Sequence, residues 1–367
     1  MKLENSRKRI LVTGSLGYLG SVLTGYLEQN GFDCVGYDPG FFRDCLLYEP
    51  PATKTLIRDA RDFEAKDLEG VDALVHLAGI SNDPFGNLEA AKVYDPTRAY
   101  ALMIASLCKQ RGVKFIFASS CSVYGRGQGE LLDENSPAFP QTPYSLNKLQ
   151  IEEDLQKISG KTFSPIALRF ATAFGPSPRL RFDLVINMLA GMGLTTGKIV
   201  LNSDGTPWRP NVHVLDICKS IKCAIDFDYR DGLLVLNVGD EQNNLQVIDI
   251  AKTVQACLPG CELKFLAENP ELDREGLVRD RKVKQGVDTR TYKVSFAKIR
   301  NIFPGFKCDW TVAAGIKDLI ERLRELGLTR GRFKNKKFYR LQKIESLYHD
   351  HHLSDDLRWT KPESKRQ

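Results

Sequence analysis

Short apolar runs alternate with longer segments of mixed polarity through the first half of the chain. Continuous apolar runs of this length are typical of strands buried on both faces of a parallel sheet, and helical segments separate them. The pattern predicts an α/β fold with a doubly wound parallel sheet, which binds ligands at the carboxyl ends of its strands. The predicted strands are 8–13, 33–37, 54–57, 71–77, 114–118 and 166–170.

A glycine-rich turn follows the first predicted strand. Gly14, Gly17 and Gly20 have the spacing Gly-x-x-Gly-x-x-Gly, and a helix is predicted to begin near Ser21. Glycines at such a turn let the backbone approach a pyrophosphate, whose charge is met by free N–H groups at the helix N-terminus. The turn therefore predicts a dinucleotide site.

An acidic residue ends the second strand. Asp38 lies 18 residues after Gly20, where a carboxylate accepts hydrogen bonds from the adenosine ribose and repels a 2′-phosphate. We therefore predict NAD rather than NADP, and interpret the nearby Arg43 as a solvated loop residue. Asp59, after the third strand, has two open interpretations: a contact with the adenine amino group, or a helix cap.

Two further strands end in segments suited to a ligand site. Small residues in segment 76–79 would allow the backbone to pass close to a cofactor. His76 itself is interpreted as a packed strand-end residue rather than a catalyst. Segment 119–122 supplies three serines just after the fifth strand, where a ligand-facing loop is expected.

Tyr144 and Lys148 carry the clearest sign of chemistry. If 145–161 is helical, their spacing of four places phenol and ammonium on one face, one turn apart. The ammonium favours the phenolate, so a group that ordinarily titrates near pH ~10 can act as a base nearer neutrality. Because a glycine-rich dinucleotide loop precedes the pair in the sequence, the two residues together indicate hydride transfer to or from an alcohol.

Composition limits the class of protein. The 367 residues are 42% hydrophobic and 27% charged, which is ordinary for a soluble protein of two lobes. No apolar run approaches the ~20 residues that span a bilayer, and residues 1–9 lack the apolar core of a signal peptide, so we expect a cytoplasmic location without membrane partners. Nine scattered cysteines with no Cys-x-x-Cys pair fit a reducing compartment and disfavour zinc, and a net charge of +6 is too modest to indicate nucleic acid.

In order and spacing, the motifs resemble those of extended short-chain dehydrogenases/reductases, in particular the NAD-dependent nucleotide-sugar epimerase/dehydratase family, over roughly residues 8–325. Aligned on Val123-Tyr124-Gly125, the resemblance implies that Ser120, Tyr144 and Lys148 are catalytic, that the cofactor is NAD and that the protein is a homodimer. The implied cofactor-binding residues are Gly14, Gly17, Tyr18, Leu19, Gly20, Asp38, Asp59, Ala60, Leu77, Ala78, Gly79, Ser119, Tyr144, Lys148 and Phe170.

The implied substrate is a nucleotide-diphosphate sugar. Arg181 and Arg209 are the stronger candidates for its phosphates, because guanidinium binds phosphate through paired donors; a solvated surface position is the alternative for each. Arg290 is a candidate to replace a family arginine that aligns with Gln285. The full implied set is Ser120, Ser122, Thr172, Arg181, Asn187, Arg209, Asp288, Arg290 and Tyr292.

Departures from the family pattern narrow the reaction. Family 4,6-dehydratases carry Asp and Glu after the catalytic Thr, but Cys121 and Ser122 stand there in this chain. Relatives that epimerise at C3 and C5 use a cysteine that would align with Ser122. Cys121 is therefore interpreted as a packing residue.

We expect a dinucleotide domain over 7–175, to which 212–238 returns, and a smaller, discontinuous α/β substrate domain over 176–211 and 239–328. The basic extension 329–367 interleaves aromatic residues and includes the run His349-Asp350-His351-His352. Successive side chains cannot easily converge on one ion, so we predict a solvated tail without a metal. More generally, such extensions pack on a subunit or anchor an active-site edge.

The leading hypothesis is an NAD-dependent nucleotide-sugar epimerase, with C4 as the favoured centre. A nucleotide-sugar dehydrogenase or 4-keto-sugar reductase with exchangeable NAD(P)(H) is the alternative, because the same three catalytic residues serve a one-way transfer. A non-catalytic sensor of NAD or a nucleotide sugar is the third hypothesis, but it has no need of a phenolate base.

Overall fold

A computed structural model describes residues 7–81, 90–268 and 290–361. Its strands are β1 Arg9–Thr13, β2 Asp33–Asp38, β3 Thr55–Ile57, β4 Ala73–His76, β5 Lys114–Ser120, β6 Arg126–Leu132, β7 Ile166–Phe170, β8 Thr172–Phe174, β9 Lys198–Leu201, β10 Trp208–His213, β11 Leu234–Val238, β12 Asn244–Gln246, β13 Glu262–Phe265 and β14 Thr291–Val294. Its helices are α1 Gly20–Gln29, α2 Ala90–Arg111, α3 Pro143–Ile158, α4 Val185–Thr196, α5 Val214–Asp226, α6 Val247–Ala256, α7 Ala297–Ile302, α8 Val312–Glu325, α9 Arg330–Phe333 and α10 Arg340–His349.

A seven-stranded parallel sheet forms the centre of the molecule. Its strand order is β11-β7-β5-β4-β1-β2-β3, which confirms the predicted doubly wound Rossmann fold. β1 pairs with β2 on one side and with β4 on the other, so the chain winds outward in both directions from β1. The glycine-rich turn that follows β1 therefore lies at the switch point of the sheet, where such folds bind ligands.

The predicted strands agree with the observed ones to within one or two residues, and β7 agrees at both ends. The helix that carries Tyr144 and Lys148 begins two residues before the prediction and ends three residues before it. Thr142 determines the start, because its hydroxyl accepts from the N–H of Ser145 at 3.1 Å while the hydroxyl of Ser145 receives the N–H of Thr142 at 3.1 Å. Pro143 fits the first turn, where its missing N–H has no helical partner.

The second half of the chain adds to the sheet and builds a second core. β11 joins the sheet beside β7, and α5 packs against α1. A separate apolar cluster holds Leu180, Phe182 and Ile186 against Ile250 and Ile316. The predicted smaller substrate-side α/β layer is thus present, while the exact division of the chain into domains stays a prediction.

The prediction of a solvated tail is wrong for most of the C-terminal extension. Phe333, Phe338 and Tyr339 are buried in the second core, next to Phe182. The aromatic residues that alternate with basic ones in this segment bury their rings, and the basic residue Arg340 is buried with them. The stretch from His349 to His352 is exposed.

Candidate active site

Two adjoining cavities lie at the carboxyl ends of the sheet. The larger has a volume of about 390 Å³ and reaches from the glycine-rich turn to the substrate side; the smaller, of about 100 Å³, lies beside the ends of β2 and β3. Both are lined by the same residues at their junction, so they form one continuous cleft. The shared residues are Gly14, Gly17, Leu77, Gly79 and Arg340.

The structure brings the three predicted catalytic side chains to the larger cavity. The hydroxyl of Ser120 lies near enough to the phenol of Tyr144 to oppose the rise in its pKa. Lys148 Nζ lies 5.7 Å from the centre of the Tyr144 ring and donates to the carbonyl oxygen of Ala118 at 2.7 Å. β5 and α3 thus fix the three groups from two sides.

Ionisation at this site is set by burial. Burial raises the pKa of Tyr144, opposed by the hydrogen bond from Ser120 and by the charges of Arg181 and Arg340. Burial lowers the pKa of Lys148 to about 7. Burial outweighs the opposing groups, so the pKa of Tyr144 is raised here, whereas the sequence led us to expect a lowered pKa.

Ser120 is held by a buried network beneath the loop. The neighbouring Ser119 hydroxyl donates to the Glu152 carboxylate, to which the Arg169 guanidinium donates at 2.6 to 3.1 Å. Arg169 also donates to the Tyr124 hydroxyl at 3.0 Å. Each buried charge has its partner, as burial requires, and the network fixes the serine loop against α3.

The glycine-rich turn owes its sequence to close backbone contacts. Gly14 has φ +74°, and a Cβ there would lie 2.8 Å from the N atom of Ala78. A Cβ on Gly20 would collide with the carbonyl oxygen of Gly14. Gly17 differs, because a Cβ there would meet Gly14 O at 3.2 Å and Arg340 Nη2 at 3.7 Å without a severe collision, and its backbone lines both cavities.

The acidic residues of the smaller cavity have different partners. Asp38 accepts from the N–H groups of Leu16 at 3.1 Å and Gly40 at 2.7 Å, and its burial raises its pKa to about 6. Asp59 caps a short 3-10 helix and accepts from Arg61 Nε at 2.8 Å. The helix-cap interpretation of Asp59 is confirmed, and its contact with adenine stays a prediction.

All the predicted cofactor residues line one of the two cavities. The donors and acceptors also suit a dinucleotide: a buried carboxylate at Asp38 for ribose hydroxyls, the cavity-lining backbone of Gly17 for the diphosphate, and Lys148 beside Tyr144 for the second ribose. The residues present therefore fit NAD.

The substrate side is assembled from separate elements. Thr172, Arg209, Arg290 and Tyr292 line the larger cavity, as does Ser122, whose buried Oγ makes no hydrogen bond with any part of the chain that the structure describes. Arg209 Nη1 donates to the carbonyl oxygens of Trp208, at 2.8 Å, and of Arg290. Asp288 and Gln285 lie outside the described residues.

One substrate prediction needs correction. Asn187 is fully buried and is not among the residues that line the cleft; its amide accepts from Gly175 N and donates to Arg181 O, both at 3.1 Å. It holds the backbone rather than a phosphate. Arg181 lines the larger cavity and is buried, so the surface alternative is wrong, while its contact with a phosphate stays a prediction. Its Nε and Nη2 donate to Asp183 at 2.8 and 2.5 Å, and its Nη1 donates to Ser81 Oγ at 2.7 Å.

Other predicted packing roles agree with the structure. His76 is fully buried, with Thr13 Oγ1 at 2.9 Å from its Nδ1, and burial lowers its pKa to about 3, so the ring is neutral. The Cys121 thiol is buried and donates to Arg169 O at 3.1 Å. Arg43 is exposed.

A family model described as the NAD-dependent epimerase/dehydratase family matches residues 10–239, more than half of the chain. The chain belongs to this family. As a member of the NAD-dependent epimerase/dehydratase family it is an enzyme that uses NAD, in agreement with the residues of its cleft.

The chain is 28% identical over 268 residues to an uncharacterised UDP-glucose epimerase of Bacillus subtilis, covering 67% of this chain and 82% of the relative. It is 28% identical over 252 residues to the UDP-glucose 4-epimerase of Azospirillum brasilense, covering 63% and 72%. Among solved structures, the NAD-dependent NDP-hexosamine 5,6-dehydratase TunA of tunicamycin biosynthesis matches with a TM-score of 0.73 at 22% identity, covering 87% of this chain and 98% of that one. At that identity the structural likeness shows the fold alone.

Sequence reasoning missed a charged residue at the centre of this family member's cleft. Arg340, the first residue of α10, lines both cavities although it lies in the C-terminal extension. The only signal was the interleaving of aromatic and basic residues before it, which does not indicate where a segment docks. Within the described ranges, no helix is both long and apolar enough to cross a bilayer.

Proposed function

We propose that the protein is an NAD-dependent nucleotide-sugar epimerase that inverts C4 of a nucleoside-diphosphate hexose. The observation that carries the proposal is the meeting of Ser120, Tyr144 and Lys148 at the larger cavity, which also contains the glycine-rich turn and the substrate side. The 4-epimerase name of a relative at 28% identity supports C4 and makes UDP-glucose the first substrate to test.

In the proposed reaction, Tyr144 Oη takes the proton of the C4 hydroxyl while Ser120 hydrogen-bonds the same oxygen. NAD held in the cleft would supply the hydride acceptor and donor for C4. After the keto sugar has rotated in the cavity and presented its other face, Tyr144 returns the proton to the C4 oxygen. One C–H and one O–H bond are broken and re-formed, so no external reductant or oxidant is consumed.

The acid groups around the cavity favour epimerisation over dehydration. Elimination of water needs a free acid and base near the sugar. Among the described residues that line the larger cavity, the carboxylate is that of Asp183, and its two oxygens bind Arg181. Cys121 lies outside that lining, and Ser122 offers a hydroxyl.

Arg209 and Arg290 are proposed to bind the diphosphate of the substrate. Both line the larger cavity, together with Tyr292, and guanidinium groups bind phosphate oxygens through paired donors. Ser122 Oγ, buried without a protein partner among the described residues, is proposed to bind a sugar hydroxyl.

The test is to release bound small molecules from the purified protein by denaturation, identify them by mass and absorbance, and incubate the native protein with a panel of nucleotide sugars. Stoichiometric NAD and a new C4 stereoisomer by NMR, without net redox change, are expected. Consumption of added NAD(H) by one substrate would instead establish the dehydrogenase or reductase. A Tyr144→Phe variant that kept full biological activity in a complementation assay would favour the sensor.

We also propose a homodimer in the cytoplasm. The homodimer is proposed from the family resemblance, and the location from the polar character of residues 1–9 and the short apolar runs. Light scattering of the purified full chain tests the assembly state.

A further inference from the structure

The C-terminal segment 330–361, here called the C-terminal cover, packs on both sides of the cleft. At its start, Phe333 and Phe338 lie against Phe182 of the substrate side, with ring centres 4.9 and 5.7 Å away. Further on, Ile344 and Leu357 are buried in a cluster that belongs to the dinucleotide side. The members of that cluster are Phe42, Cys45, Val93, Ile344, Leu347, Leu353 and Leu357.

Polar contacts tie the end of the cover to the rim of the smaller cavity. Arg61, which is paired with Asp59, donates to the carbonyl oxygens of Asp356 at 2.5 Å and Leu357 at 3.1 Å. Trp359 Nε1 donates to the carbonyl oxygen of Pro39 at 2.6 Å. Asp356 and Leu357 are themselves part of the wall of the cavity that contains Asp38 and Asp59.

Arg340 is the point where the cover reaches the junction of the two cavities. Its Nη1 donates to Gly79 O at 3.2 Å and to Ser81 Oγ at 2.8 Å. Its Nε is buried without a hydrogen-bond partner among the described residues, and its Nη2 lies 3.7 Å from the place of a Cβ on Gly17. A buried donor beside the open face of the glycine-rich turn needs an acceptor, and a diphosphate supplies one.

The surroundings of Arg340 carry more positive than negative charge. Burial and the charges of Arg181 and Arg179 lower the pKa of Arg340 to about 9, while Asp183 opposes them. Asp183 is already bound by Arg181. A bound dianion at this point would relieve the repulsion among the three guanidinium groups.

We propose that the C-terminal cover retains NAD, with Arg340 binding its diphosphate and residues 356–357 closing over its adenosine. The inference rests on the proposed function and deepens it: the cover makes NAD a resident group that stays through many turnovers. Adenosine can then leave only after two sets of contacts have broken. These are the hydrogen bonds of Arg61 to the cover and the hydrogen bond of Trp359, in the cover, to Pro39 on the rim.

The test is cofactor exchange in the full-length protein. The NAD-loaded protein is mixed with excess deuterium-labelled NAD, and the bound label is followed by mass spectrometry. Arg340→Gln is expected to exchange about 10- to 100-fold faster than the unaltered protein, the effect of losing a charge-assisted hydrogen bond. Trp359→Ala is expected to accelerate exchange less, by up to about tenfold. Lys336→Gln, which removes a charge from an exposed position of the cover, serves as the control and is expected to exchange at the unaltered rate.

Exchange of unaltered protein within the mixing time, or an unaltered rate in both Arg340→Gln and Trp359→Ala, overturns the cover. If Arg340→Gln does not fold, as judged by circular dichroism, Trp359→Ala decides alone. The exchange measurement needs no sugar, so it is independent of the epimerase assay. A protein that retains NAD but epimerises none of the nucleotide sugars would refute the proposed epimerase activity without contradicting the proposed role of the cover.

The diphosphate contact has its own readout. Protein stripped of NAD is titrated with ADP and with adenosine. Arg340→Gln is expected to weaken the binding of ADP about 10- to 100-fold and to change the binding of adenosine little. Equal losses for both ligands would mean that Arg340 only supports the fold of the cover, and would overturn its role as a diphosphate ligand.

Discussion

The two ends of the cleft are built in different ways. At the cofactor end, the glycine-rich turn, Asp38 and the pair Tyr144–Lys148 are each fixed by neighbours close in sequence or by adjoining strands of one sheet. At the substrate end, Arg209 and Arg290 come from segments far apart in the chain and meet only through the tertiary fold.

This difference explains why the cofactor is identified more firmly than the sugar. A dinucleotide site needs backbone conformations and single carboxylates that short motifs encode. Recognition of a sugar depends on which hydroxyls meet which side chains, and those side chains change without disturbing the sheet. If the two ends are independent, a substitution at one end should change the function of that end and leave the other unchanged.

The largest effect is expected at the catalytic tyrosine, where the two ends meet. Tyr144→Phe removes the group proposed to accept the substrate proton, so kcat should fall by about 10²- to 10⁴-fold. Bound NAD should remain, because no part of the diphosphate or adenosine site is changed. Turnover and NAD content are measured on the same sample, with Tyr229→Phe, whose hydroxyl contacts only a surface carbonyl, as the matched control. Unchanged turnover would remove Tyr144 from the mechanism.

A smaller effect, confined to the substrate end, is expected for Arg209→Gln. Loss of a guanidinium that binds phosphate should raise KM for the nucleotide sugar by about 10- to 100-fold and leave NAD content unchanged. Steady-state kinetics and cofactor release check both statements, and Arg230→Gln, at an exposed position paired with Asp228, is the control. If NAD is lost as well, the two ends are coupled and the comparison fails.

Most of the cofactor end could be predicted from sequence because its determinants are local. The strand–glycine turn–helix order, Asp38 after β2 and the spacing of Tyr144 and Lys148 all lie within single segments. Asn187 was assigned wrongly because its amide serves the backbone of Gly175 and Arg181, a contact that no local pattern reveals. Arg340 was missed for the same reason: its place depends on how a segment more than 250 residues downstream of Gly79 docks.

The cofactor end should also respond to pH through Asp38. Its pKa of about 6 in the protein without NAD is raised by burial, while the N–H groups of Gly40 and Leu16 and the charges of Arg340 and Arg179 lower it. Ribose hydroxyls donate to the carboxylate, so NAD binding must expel the proton below pH 6. Affinity should be flat above about pH 7, fall about twofold by pH 6 and fall roughly tenfold by pH 5, because the ionised fraction of a group with a pKa of about 6 falls in this way. Titration calorimetry of stripped protein measures it, and Asp38→Asn should abolish the dependence.

The smallest effect concerns the stability that the cofactor end gives up for its chemistry. The pKa of Lys148 is about 7 in the folded protein, against an ordinary value of 10.5, because burial disfavours its charge. Between pH 7 and 10.5 the unfolded chain therefore binds more protons than the folded one, so this group makes stability rise with pH in that window. Lys148→Met should raise Tm of the stripped protein by about 2–4 °C at pH 7, and the gain should shrink toward pH 10. Differential scanning calorimetry at both pH values measures the change in Tm. A lower Tm of the variant at pH 7 would mean that the hydrogen bond of Lys148 to Ala118 stabilises the fold more than the burial of its charge destabilises it. The cofactor end would then be built for stability as much as for catalysis.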